Sequence, residues 1–130
     1  MNKLCLNSRD ELLMIDLDQV AYLQANGNYT QFMYIAGKGP LVSLGLSKIE
    51  QYISRAWPSE QRSPLVRLGR SLIINQRFLT QINVIQQRLV LSDNAGHNHI
   101  LVAPKPLLKQ YKELISGGLQ GSANKQSPSK

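Results

Sequence analysis

Cysteine, histidine and acidic side chains are scarce in this 130-residue chain, which has one Cys, two His and eight Asp plus Glu. A lone thiol, Cys5, cannot form an internal disulfide, which suits a reducing compartment rather than a stapled secreted domain. With no base beside it in the sequence, Cys5 reads as a small buried hydrophobe and not as a nucleophile. His97 and His99 lie two apart and would share one face of a strand, as two metal ligands can. No cysteine or third histidine completes such a site, so an exposed hairpin beside "DNAG" is the simpler reading. A GxxxxGKS phosphate loop and a GxSxG elbow are both missing. These gaps argue against an enzyme and call for no metal, cofactor or small-molecule substrate. Long apolar runs are missing too: nothing approaches the roughly 18 residues of a membrane span. The opening "MNKLCLNSRDELLMI" is broken by polar residues from Asn7 to Glu11, unlike a signal peptide. A cytoplasmic protein without a membrane partner is expected.

What the chain does have is a core and a surplus of positive charge. At 42% hydrophobic it suits one globular domain, and its net charge is +7. Four of the eight acids, Asp10, Glu11, Asp16 and Asp18, fall in the first eighteen residues. From Gln19 to Lys112, eleven Lys and Arg face three acids. Such a basic body is the footprint of a polyanion binder, although charge alone fits a merely soluble surface equally well.

Short apolar runs separated by turn residues dominate the order of the chain. Leu12–Ile15 and Val20–Leu23 flank "DLDQ" as strand, turn and strand. "LQANGNYTQF" holds an Asn26-Gly27 pair, a strong hairpin signal because both residues tolerate the positive φ of a type I′ turn. Tyr29–Ile35 is rich in β-formers and is closed by Gly37, Gly39 and Pro40, after which Leu41–Leu44 reads as another strand. "SKIE" predicts a capping box, with the Ser47 hydroxyl on a helical amide and Glu50 reaching back. Leu46, Ile49, Tyr52, Ile53 and Ala56 then recur at helical spacing, so a helix is expected over 47–56, ending at Pro58. Leu65–Leu68, Leu72–Ile74, Leu79–Ile85, Arg88–Ser92 and Ile100–Ala103 read as further strands, and Leu107–Ile115 as one or two terminal helical turns. The expected whole is mainly β, with about eight to ten short antiparallel strands and one short helix. Residues 1–116 form the domain in this reading, and 117–130, with little to bury, a disordered tail.

These segments add up to a known pattern. "VAYLQANGNYTQFMY" resembles the opening of a LytTR-type DNA-binding domain, usually an apolar strand followed by Glu-Ala-x-Gly-Asn-Tyr-Thr; here Gln24 replaces the glutamate. "SLGLSKIEQYI" is similar to the next segment, Ser-Leu-x-x-Leu-Glu before a short helix. "LVRLGRSLIINQRFLTQI" resembles the most specific block, Phe-x-Arg-x-His-Arg-Ser-x-Ile-Val-Asn, with Arg67, Arg70, Ser71, Ile73 and Asn75 in place. "VAPKPLLKQY" aligns with Val-Ser-Arg-Arg-x-Leu, and the match runs from residue 12 to 114.

The resemblance implies an elongated fold of about ten antiparallel strands in packed sheets with a small helix. It also implies a bacterial transcription regulator whose loops enter successive major grooves of double-stranded DNA, with room for a homodimer on DNA repeats. Carried over by position, Asn28, Thr30 and Gln31 sit on the first reading loop and Arg70 on the second. Lys105 sits on the third, with Arg67 and Lys109 as further DNA-binding candidates. Gly69 stands where histidine is usual, and Pro104 and Pro106 bracket Lys105, stiffening that loop and removing two amide donors. The match starts at Leu12, so a receiver domain ahead of it, and control by phosphorylation within this chain, are not expected. The competing expectation is a β interaction module that binds a protein or acidic ligand through the same basic loops.

Overall fold

Apolar residues alternating at period two build three antiparallel sheets in the computed structural model, which describes residues 2–58 and 60–118. The elements run β1 (Lys3–Asn7), β2 (Leu12–Asp16), β3 (Val20–Asn26), β4 (Tyr29–Tyr34), β5 (Gly37–Val42) and α1 (Leu46–Ala56). They continue with β6 (Leu65–Leu68), β7 (Leu72–Asn75), β8 (Leu79–Asn83), β9 (Arg88–Ser92), β10 (Asn98–Val102) and α2 (Lys105–Gly118). A central five-stranded sheet has the order β5-β4-β3-β7-β6, β1 pairs with β2, and β10-β9-β8 form the third sheet.

The central sheet carries a core on each face. Leu23, Phe32, Val42 and Ile73 face Ile49 and Ile53 of α1 together with Leu4, Leu6 and Ile15 of the β1–β2 hairpin. Leu72 and Ile74 face the other way, against Leu89 and Leu91 of β9 and Leu108 and Tyr111 of α2. Consecutive residues of β7 thus serve opposite cores, as the pleat requires. In β3 a bulge between Val20 and Tyr22 shifts the register, and Val20 and Ala21 part to different faces. Tyr111 is anchored where its hydroxyl donates to Gln76 Oε1 at 2.9 Å, and burial pushes its pKa up to about 12, so it remains a donor.

Several expectations need correction. The helix 105–118 is a second, longer helix that the sequence reading reduced to a turn or two. Pro104 and Pro106 do not prevent it, because amides of a first helical turn lack intrahelical partners anyway, and Leu108 donates its amide to the Pro104 carbonyl at 3.1 Å. The helix runs two residues past the expected domain end at 116, and the rest of the expected tail, 119–130, lies outside the described residues. The Ser47 capping box does not form: Gly45 is the N-cap, with Ile49 N–H on its carbonyl at 3.1 Å. Burying Leu46 moves the helix start back by one residue. Cys5 is exposed, because the pleat of β1 turns Leu4 and Leu6 inward and leaves Cys5 outside, opposite Met14. Strand β5 begins at Gly37 rather than Leu41. A Cβ on Gly39 would lie 2.9 Å from the Phe32 carbonyl oxygen and 3.0 Å from the Tyr34 ring, so only glycine fits at this crossing. Pro40 is tolerated because β5 is an edge strand.

Candidate nucleic-acid interface

One end of the central sheet gathers two tight turns, the β5–α1 connection and the start of α2. β3 and β4 are joined by Gly27 and Asn28 alone, with Asn26 opposite Tyr29. Only the first of these two has positive φ (Gly27, +63°), which is the pattern of a type II′ turn and not the type I′ turn centred one residue earlier. Because β3 and β7 are antiparallel, the β6–β7 turn at Gly69–Arg70 lies at the same end, and Ala25 N–H donates to the Ser71 carbonyl at 2.8 Å. The β5–α1 connection is there too, with its Leu44 carbonyl beside Thr30. The first turn of α2 completes the set.

Gly69 is where that helix turn and the β6–β7 turn meet. Its φ is +70°, and a Cβ would stand 3.3 Å from Leu107 Cδ2. Glycine here lets the α2 first turn close on the β6–β7 turn, at the position where the resemblance expects histidine. From Leu107 the helix runs away from this end toward Gln76, so Lys105 is nearest the edge and Lys109 is about 6 Å further back along the axis.

The seven candidate residues divide by what they already hold. Asn28, Arg70, Lys105 and Lys109 are exposed. Among the described residues, no ion pair or side-chain hydrogen bond engages the Arg70 guanidinium. Thr30 is fully buried and its hydroxyl donates to the Leu44 carbonyl at 2.8 Å, so it shapes the end of the sheet and presents nothing to a ligand. Gln31 is half-buried, and its Nε2 donates to the carbonyls of Phe32 (2.9 Å), Gly39 (2.9 Å) and Pro40 (3.3 Å). It fills the bulge where the β4–β5 register shifts, replacing ladder donors that Pro40 cannot supply. The Arg67 guanidinium is held by the Gly69 and Arg70 carbonyls and by Glu50. Lys105 lies in a helix, not on a loop. Sequence reasoning missed Lys112, exposed on the same α2 face as Lys105 and Lys109; the i, i+4, i+7 spacing was the available signal.

The two histidines have separate partners. His99 lies 3.0 Å from the Ile35 carbonyl through Nε2 and meets the Tyr22 ring edge-on, with centroids 5.6 Å apart. His97 Nδ1 is 2.6 Å from Asp93 Oδ2 in the β9–β10 turn. Among the described residues, no group of three or more His, Cys, Asp and Glu is placed to hold a metal. The bond from His97, with the Ala95 and His97 amides on the same carboxylate, holds the Asp93 pKa down at about 2. A depressed carboxylate stabilises the turn fully above its unfolded pKa and loses that contribution as pH falls through the folded value. NMR titration of the Asp93 carboxyl is therefore expected to give a midpoint near 2. A midpoint at the ordinary value of about 4 would mean that the turn contacts do not persist in solution.

No helix among the described residues is long and apolar enough to cross a membrane. No protein-family model matches the chain, and no curated protein matches it in sequence. Among solved structures, it is similar to the LytTr DNA-binding domain of a Bacillus cereus protein described as a methyl-accepting/DNA response regulator. The TM-score is 0.53 at 18% identity, over 88% of this chain and 97% of that one. The chain therefore has the LytTR-type fold.

Proposed function

We propose that this chain binds double-stranded DNA sequence-specifically and acts as a bacterial transcriptional regulator in the cytoplasm, without catalysing a reaction. The observation that carries this is the gathering of the Gly27–Asn28 turn, the Gly69–Arg70 turn and Lys105 at one end of the central sheet. The likeness to a DNA-binding domain and the net charge of +7 support it.

Asn28 and Arg70 are the base-reading side chains in this proposal. An amide can pair with an adenine edge and a guanidinium with a guanine edge in the major groove. Lys105, at the positive end of the α2 dipole, and Lys109, one turn back, meet phosphate. Thr30 and Gln31 hold β4 against β5 and the β5–α1 connection behind the first turn. Two copies can occupy repeated half-sites, which sedimentation of the complex would report.

The test is a fluorescence titration of a duplex selected from a random pool and of an unselected duplex, each at two salt concentrations. Tight, salt-dependent binding with preference for the selected duplex is expected. Lys109→Ala should weaken both complexes alike and lower the salt slope by about one. Binding to neither duplex would return the basic surface to the role of an interaction module or a solvated face.

A further inference from the structure

The turn that carries Arg70 is held by a side chain that sits before it in β6. Arg67 donates through Nε to the Gly69 carbonyl at 2.9 Å and through Nη2 to the Arg70 carbonyl at 2.8 Å. Its Nη1 donates to Glu50 Oε1 at 2.8 Å, with Ser47 Oγ at 3.5 Å. A guanidinium is planar and its N–H directions are fixed, so these bonds set two consecutive peptide planes against one rigid plate. The plate is in turn fixed by α1, whose Ile49 and Ile53 are buried in the core under the sheet.

We infer that Arg67 and Glu50 are positioning residues for DNA reading: together they fix the peptide planes from which Arg70 projects. The inference rests on the proposal that Arg70 reads a base. Arg67 itself then contacts no DNA, although its charge and position in the motif suggest that it should. Glu50 becomes a determinant of sequence preference even though an acidic side chain repels phosphate. A base contact through two hydrogen bonds tolerates little misplacement, so a loosened turn loses specific affinity even when every DNA-facing side chain is intact.

The charge effect and the positioning effect have opposite signs, which makes the test decisive. Glu50→Ala removes one negative charge near the interface. If charge alone matters, affinity rises for every duplex. If Glu50 positions the turn, affinity for the selected duplex falls about tenfold while the unselected duplex binds as well as before or better. Arg67→Lys keeps the charge but not the fork, so the same selective loss is expected with an unchanged salt slope. Glu50→Gln keeps an acceptor oxygen and should restore part of the preference.

Backbone NMR relaxation without DNA reads the clamp independently of DNA binding. The order parameters of the Arg70 and Ser71 amides should fall in Glu50→Ala and Arg67→Lys, while those of Ile73 and Ile74 stay unchanged. Unchanged order parameters at Arg70 and Ser71, or equal gains on both duplexes for Glu50→Ala, overturn the inference. A loss of order in these variants, with a wild type that prefers no duplex, leaves the clamp in place, overturns the proposed reading by Arg70, and removes the role in specificity with it.

Discussion

Asn75→Leu should lower the free energy of unfolding by about 2–5 kcal/mol, with a denaturant slope close to that of the wild type. Asn75 is fully buried at the end of β7. Its Nδ2 donates to the Val20 carbonyl at 2.9 Å, and its Oδ1 accepts the Arg77 amide at 3.0 Å. Leucine is similar in size, so the loss comes from the buried Val20 carbonyl left without its donor, and from the cap on the Arg77 amide, and not from a cavity. Chemical denaturation followed by circular dichroism measures it. A change below about 1 kcal/mol would show that the substituted chain finds these groups new partners.

Arg70→Ala is expected to cost about 1–3 kcal/mol of binding free energy on the selected duplex and much less on an unselected one. Its side chain is exposed and engaged by no other group among the described residues, so the melting temperature should not move. This separates it from Asn75, where the whole effect falls on folding. Asn28→Ala should follow the pattern of Arg70→Ala, since an amide discriminates bases only at hydrogen-bonding range. Equal losses on both duplexes would make Arg70 a backbone contact.

The strands were legible wherever alternation was supported by clear punctuation. Leu65–Leu68 and Arg88–Ser92 were read with the bounds they have in the structure. Strand β1 is not legible in the sequence because "KLCLN" is only five residues long, and its alternation has meaning only against β2. Strand β5 is hidden in the sequence because Gly37, Gly39 and Pro40 are breakers in isolation, yet an edge position and the Gln31 amide accommodate them. Local chemistry was also misleading at the capping box: Glu50 faces a better partner in Arg67, a residue 17 positions away. The same limit applied to the site. The resemblance puts Asn28, Arg70 and Lys105 on three loops, whereas Lys105 opens a helix, and the sequence does not tell a free hydroxyl from one buried against Leu44. Periodicity reports which face a side chain is on; it does not report which partner has already taken its hydrogen bonds.

The double-sided sheet has a consequence for how the chain folds. β3 and β4 are joined by two residues, so their hairpin can close without waiting for the rest of the chain. The pairing of β3 with β7 must instead close a loop from Gln24 to Leu72, with β5 and α1 inside it. Neither face is complete before that event, because Ile73 belongs to one core and Ile74 to the other. Docking β7 therefore commits both halves of the molecule at once, and a chain stalled before it would expose two apolar surfaces rather than one.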